Sequence, residues 1–308
     1  MTERRMSTRV RLLGAALALG LAMTTVLSGC RTTPANPDAK LHVVATTTIL
    51  ADLVAQVGGP LVSVESLVPK GGEVHTFDPT PSDVRRLTEA DLVVRNGLGL
   101  DDWLASLVRD AGAHAPIIAL GEDLPGATYL SEGDEVNPHL WLDAAYARAY
   151  AVRIADALVA GSPADEEAIR ATAAAFDARL AALDEEARAR LAQVPDARRT
   201  VVAFHDAFPY FAAAYGLTID GTIVDSPGQD PSAATVEQLV ATIRDSGIKA
   251  IFAEAQFDDR LAQAIADETG ATVVTDLYTD SLGDAPLDSY EAVMRWNVER
   301  VAKALGAP

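Results

Sequence analysis

The 308-residue chain has a single cysteine, Cys30, so it can form neither an internal disulfide nor a thiolate metal centre. Basic residues are scarce, with 25 Lys and Arg against 44 Asp and Glu, a formal net charge of −19. A surface that acidic repels phosphate backbones and disfavours nucleic acid as a partner. It attracts cations only in a general way and does not specify a site. The one leading apolar run, Leu12 to Val26, is too short to span a bilayer comfortably. No His-Glu-x-x-His run is present, so the usual helical zinc-protease signature is missing. No residue-level internal repeat is found either. Apolar residues, by contrast, are plentiful: 49% of the chain is hydrophobic, which excludes disorder as the reason for the charge. At this length two lobes with two cores are expected.

The N-terminus bears on compartment. Arg4, Arg5, Arg9 and Arg11 precede the apolar run, as in a secretory leader. The run ends in Leu27-Ser28-Gly29-Cys30, which resembles a bacterial lipoprotein signal box. That resemblance implies that Cys30 becomes the lipidated first residue of the mature protein. The alternatives are an ordinary signal peptide with Cys30 incidental, or an N-terminal membrane anchor. Residues 1–29 are thus expected to be a signal peptide and residues 30–40, rich in Thr, Pro and Asn, a lipid-anchored tether. The protein is expected outside the cytoplasm, held to the cell membrane through Cys30.

From Leu41 onward, β-branched apolar runs alternate with segments of helical periodicity. Strands are expected at Leu41–Thr48, Val62–Val68, Asp91–Asn96 and Pro116–Leu120, with helices at Ile49–Val57, Ser82–Ala90 and Trp103–Ala111. Gly58-Gly59-Pro60 stops the first helix, and Thr80-Pro81 caps the second. Such alternation argues for a parallel sheet covered on both faces. Ala144–Ala160 then reads as a helix about 25 Å long, enough to cross between two lobes. A further helix from Ser162 toward Pro195 has mixed charges and reads mostly as a solvated face. A second α/β set follows, with strands at Thr200–Phe204, Leu217–Val224, Ala250–Glu254 and Ala271–Thr275. Its helices are Ala234–Ser246, Asp259–Thr269 and Tyr290–Leu305. The expected organisation is an N-terminal lobe at 41–143, a connecting helix at 144–161 and a C-terminal lobe at 162–308.

Four short signals carry chemistry. His75 lies in a Gly/Pro-framed loop, and His139 in Asn137-Pro-His-Leu-Trp-Leu-Asp143. His205 follows Val201-Val-Ala-Phe, and Asp280 begins Asp-Ser-Leu-Gly283. A lone histidine near a strand end is more often structural than a ligand, and an Asp in a loop more often caps or turns. His42 and His114 receive that reading, as a partly exposed strand residue and a surface-loop residue. For the other four, convergence decides: ligands in open α/β sheets collect beyond the carboxyl ends of strands. Three imidazoles and a carboxylate form a donor set that suits Zn²⁺ and tolerates Mn²⁺ or Fe²⁺. Glu73, Asp206 and Glu254 are candidates to orient the imidazoles through their second nitrogens.

As an ordered set these motifs resemble the metal receptors of zinc and manganese ABC importers, the cluster A-I solute-binding proteins. The resemblance covers residues 41–308. It rests on His75-Thr-Phe-Asp-Pro-Thr-Pro-Ser-Asp83, Ala90-Asp-Leu-Val-Val-Arg-Asn-Gly97, Pro138-His-Leu-Trp-Leu-Asp143, His205-Asp-Ala-Phe-Pro-Tyr-Phe211, Phe252-Ala-Glu-Ala-Gln-Phe257 and Thr279-Asp-Ser-Leu-Gly283. It implies two α/β lobes joined by one long helix, with the metal between them at His75, His139, His205 and Asp280. It also implies delivery to a membrane permease and its ATPase, with no enzymatic turnover. Manganese members often carry Glu where this chain has His205, which favours Zn²⁺. Two departures keep Mn²⁺ or Fe²⁺ open. The stretch Glu122–Val136 is short and lacks histidine where many zinc members have a long His-rich loop, and Val74 stands where the family usually has Pro. The receptor is expected to act as a monomer. The competing readings are a zinc hydrolase, a surface adhesin, and a haem or siderophore receptor.

Overall fold

The computed structural model describes residues 40–132, 135–224, 227–228 and 230–307. The leader, Cys30 and the tether lie outside the described residues. Among the described residues no helix is long and apolar enough to cross a membrane.

The first sheet contains β1 (Leu41–Ala45), β2 (Val62–Ser66), β3 (Leu92–Arg95) and β4 (Ile117–Ala119), all parallel, in the order β2-β1-β3-β4. Val43 pairs with Val64 on one side and Leu92 on the other, and Val43 and Val44 are both fully buried. A strand with both faces covered is what the uninterrupted apolar run requires. Three helices connect these strands: α1 (Thr48–Gly58), α2 (Pro81–Glu89) and α3 (Trp103–Ala111). Thr47 caps α1 by accepting from Leu50 N at 3.2 Å. Asp83 closes the start of α2 by accepting from Thr80 N at 2.7 Å. A two-residue-per-strand hairpin, β5 (Ser131–Glu132) with β6 (Glu135–Val136), follows. It lies in the stretch read from sequence only as a short loop.

The chain then crosses on α4 (Ala144–Gly161), about 27 Å long at 1.5 Å per residue. Asp143 caps it, accepting from Ala145 N at 2.8 Å. The next helix, α5 (Glu166–Leu191), is exposed over most of its residues, as read, but it also carries a buried stripe that the reading did not assign: Ile169, Phe176, Leu180, Leu183, Ala187 and Leu191. The remaining helices are α6 (Pro209–Tyr215), α7 (Ala233–Ser246), α8 (Arg260–Thr269) and α9 (Tyr290–Ala304). They accompany the second sheet, β7 (Thr200–Ala203), β8 (Thr218–Thr222), β9 (Ala250–Glu254) and β10 (Thr272–Leu277), again all parallel. Its order, β8-β7-β9-β10, repeats that of the first sheet. The protein is therefore two parallel-sheet α/β lobes joined by a long helix.

The expectation of two separate cores is corrected. The largest buried cluster runs from Val43 and Ala45 through Tyr150, Ile154, Phe176 and Leu180 to Val201, Phe252 and Val301. The covering helices are shared, because α4 and α5 pack on each other and both pack on α1, while α9 packs on α5 and β10. Two smaller clusters line the outer faces of the sheets, around Leu87 and Leu107 in one lobe and Ile243 and Ile265 in the other. Lobe on lobe, the interior is continuous.

Candidate metal centre

His75 lies between β2 and α2, in a loop held from inside. Val74 is fully buried, and its carbonyl accepts from Trp103 Nε1 at 3.0 Å. The Glu73 carboxylate accepts from His75 N at 2.8 Å, an Asx-like clasp that fixes the turn. His139 lies just beyond β6 and opens the 3₁₀ turn Leu140–Leu142. His205 follows β7, and Asp280 follows β10. β7 and β9 are neighbours whose connections leave in opposite directions, so the loop after β7 stands at a topological switch point, where α/β folds collect ligands.

The Asp280 loop is fastened to the first lobe on both sides. Trp141 Nε1 donates to Thr279 O at 2.8 Å, and Gly71 N donates to Ser281 Oγ at 2.8 Å. Leu282 N donates to Thr48 Oγ1 at 2.9 Å. These contacts bring Asp280 under the three imidazoles. Its carboxylate lies 3.4 Å from His139 Nε2, 3.6 Å from His205 Nε2 and 3.8 Å from His75 Nε2. The three rings form a near-equilateral triangle, with centroids 5.3, 5.5 and 5.8 Å apart. One ligand atom from each of the four residues falls within 4.8 Å of all the others. The three Nε2 atoms and both Asp280 oxygens are buried without a hydrogen-bond partner. Polar atoms in that condition cost free energy unless something fills the space between them.

The four residues differ in access and in charge. The side chains of His139, His205 and Asp280 are at most 3% exposed, whereas His75 keeps 16%. Burial pulls the His75 imidazole down to about 4, with Asp280 only partly opposing, so this ring is neutral at pH 7. Burial acts the same way on His205, but there the carboxylates of Glu254 and Asp280 prevail and raise it to about 9. Burial alone would push Asp280 up. The surrounding imidazoles, His139 foremost, instead hold its carboxyl well below the usual range. Glu73 is raised to about 7, by burial and by the Asp280 charge.

The neighbours expected to orient the rings divide into those that do and those that do not. Glu254 Oε1 lies 2.7 Å from His205 Nδ1, off the N–H axis, so the contact is an ion pair more than an aligned hydrogen bond. Asp206 does not reach an imidazole. Its carboxylate accepts from Asn137 Nδ2 at 2.8 Å, and it is Asn137 Oδ1 that lies 3.0 Å from His139 Nδ1. Glu73 likewise engages a main-chain N–H and not a ring. Asn137 went unassigned in the sequence, although it opens the His139 motif. His42 is partly buried beside Glu65 at 2.9 Å, and His114 is exposed, as their bland readings hold.

Residues 43–304 match the family described as ZnuA, zinc-uptake complex component A, periplasmic. The chain belongs to this family. Similar curated proteins include the metal ABC transporter substrate-binding lipoprotein FimA of Streptococcus parasanguinis, 28% identical over 94% of this chain and 97% of that protein. The iron ABC transporter substrate-binding lipoprotein MtsA of Streptococcus pyogenes serotype M1 is also 28% identical, over 96% and 97%. Among solved structures, the periplasmic zinc-binding protein TroA from Treponema pallidum superposes with a TM-score of 0.80 at 27% identity, covering 87% of this chain and 99% of that one. The Mn-bound periplasmic metal-binding protein from Candidatus Liberibacter asiaticus gives 0.77 at 26% identity, covering 86% and 100%. ZnuA-family membership makes this chain a metal-binding substrate-binding protein of the ABC importer class. It also agrees with the resemblance read from the ordered motifs.

Proposed function

We propose that this chain is the extracytoplasmic receptor of an ABC importer, with Zn²⁺ as its favoured cargo and His75, His139, His205 and Asp280 as the ligands. The observation that carries this reading is the convergence of four buried donor atoms within 4.8 Å. Three imidazole nitrogens with one carboxylate suit Zn²⁺ better than the harder Mn²⁺, which takes more oxygen. Four protein donors also close a tetrahedral shell, which suits holding an ion and leaves no position for an activated water. Charge supports a dication as well: Asp280 and Glu254 bring two negative charges into a water-poor crevice, and one Zn²⁺ balances them.

In this reading the cargo passes to a membrane permease powered by its partner ATPase, and no chemistry is done on it. Cys30 carries the lipid anchor, residues 41–143 and 162–308 form the lobes, residues 144–161 connect them, and the receptor acts as a monomer. The same role for Mn²⁺ or Fe²⁺ is the second reading, favoured by the iron of MtsA and the manganese of the Candidatus Liberibacter structure.

The test is elemental mass spectrometry of the soluble chain from Arg31 onward, made without a histidine tag, stripped by chelator and offered equal Zn²⁺ and Mn²⁺. One zinc per chain, lost in His205→Ala, supports the proposal. Retained manganese transfers it to the second reading, and no retained metal defeats both.

A further inference from the structure

Asn137 has every hydrogen-bonding group of its side chain engaged, and the two ends point into different lobes. Oδ1 accepts from His139 N at 3.1 Å and faces His139 Nδ1 at 3.0 Å. Nδ2 donates to Asp206 O at 2.6 Å and to Asp206 Oδ2 at 2.8 Å. The amide has only one sensible orientation. A main-chain N–H is always a donor, so the atom facing His139 N must be the oxygen. That oxygen, being an acceptor only, requires His139 Nδ1 to carry the proton. With Nδ1 carrying a proton, the nitrogen left to bind an ion is Nε2, the atom that faces Asp280 at 3.4 Å.

The other end of this chain of bonds belongs to the second lobe. Asp206 immediately follows His205 in sequence, and Tyr210 at the start of α6 donates from its hydroxyl to Asn137 O at 3.0 Å. The loops bearing His139 and His205 therefore share one amide. Asn137 is 7% exposed, so water cannot freely take the place of a lost partner.

We infer that Asn137 is a positioning residue that ties the tautomer of His139 to lobe contact, through the chain Asp206–Asn137–His139. This rests on the proposed metal ligands. With the lobes in contact, Asp206 holds the amide and His139 presents Nε2 to the ion. Where the contact parts, the amide keeps only its bonds to His139, the Asn137 side chain is held from one end, the grip on the ring tautomer loosens, and one ligand of four weakens. Coupling of this kind is reciprocal: an ion held by His139 favours lobe contact to the same degree.

The experiment compares the wild-type chain with Asp206→Ala, Asp206→Asn and Asn137→Leu by two readouts. Long-range ¹⁵N–¹H correlation spectra of the metal-free protein report the His139 tautomer directly. Stopped-flow chelator capture reports the zinc off-rate. The wild type is expected to show His139 protonated at Nδ1. Asp206→Ala removes one of the two bonds Asp206 makes to the amide and should speed zinc loss about 2- to 10-fold, with a mixed tautomer. Asn137→Leu should speed it by roughly 10- to 100-fold. Asp206→Asn keeps a side-chain acceptor and should return both readouts toward wild type. An unaltered tautomer in Asp206→Ala overturns the inference, as does equal damage in Asp206→Ala and Asp206→Asn. If Asn137→Leu fails to fold, the Asp206 pair still decides. If the wild type holds no zinc, the proposed cargo falls while the tautomer readout still judges the positioning.

Discussion

Glu254 ends strand β9 with its carboxylate 2.7 Å from His205 Nδ1, and neither side chain is more than 1% exposed. Against the opposing effect of burial, the pair raises the His205 imidazole to about 9. An ion arriving at neutral pH must therefore displace a proton from this ring before Nε2 can bind it.

The sign of the pH dependence follows. Below pH 9 the fraction of His205 with a free Nε2 lone pair falls nearly tenfold per unit, while His75, pulled down to about 4, stays neutral. Apparent zinc affinity should rise close to tenfold between about pH 7.5 and 8.5 and level off above 9. Calorimetry at about pH 7.5 in two buffers of different ionisation enthalpy should show about one proton released per ion. A flat affinity profile across that range would refute the assignment.

Glu254→Gln removes the charge that raises His205 and keeps the side-chain shape. The proton count per ion at about pH 7.5 should drop well below one. At about pH 9.5, where the wild-type His205 has largely lost its proton, affinity should fall by roughly 10-fold, since the ring loses its orienting carboxylate. The same two-buffer calorimetry measures both changes.

Asp280 touches all three imidazoles and lies at the centre of the cluster. Asp280→Asn keeps the size and removes the anion, leaving a dication among neutral rings. Zinc affinity should fall on the order of 100-fold or more, in line with about 3 kcal/mol for breaking a buried charge pair. Chelator competition would register it. A variant that holds zinc as tightly as the wild type would remove Asp280 from the shell.

The continuous core predicts how the molecule melts. Phe176 is fully buried on α5, within the cluster that reaches both sheets. Phe176→Ala should cost about 3–5 kcal/mol. Because the interior is shared, the metal-free chain should unfold in one transition, with Trp103 and Trp141 on the first-lobe side reporting the same midpoint as Trp296 on α9. Saturating zinc at about a thousand times its dissociation constant should add about 4 kcal/mol. Separate midpoints for the two lobes would contradict the single core.

Much of this architecture was legible in the sequence, for local reasons. Gly58-Gly59-Pro60 ends α1 where expected, Thr80-Pro81 starts α2, and Trp103–Ala111 is the helix read from its spacing. His75, His205 and Asp280 were legible because each comes after an apolar run, and His139 because its Asn137-Pro-His-Leu-Trp-Leu-Asp143 motif belongs to the ordered set. What escaped depends on distant partners. Helix α5 hides its buried stripe among alanines and paired charges, and its burial comes from α4, α1 and α9. The hairpin β5–β6 is too short to leave a periodicity. The roles of Asn137 and Asp206 arise from a contact across 69 positions, which neither motif announces.

The unequal exposure of the four donors carries a last consequence. All four donor atoms are buried, but the His75 side chain alone keeps some exposure, on a loop held by the Trp103 indole and the Ser281 hydroxyl. A competing group, whether a chelator or a residue of a docking protein, meets that imidazole before any other.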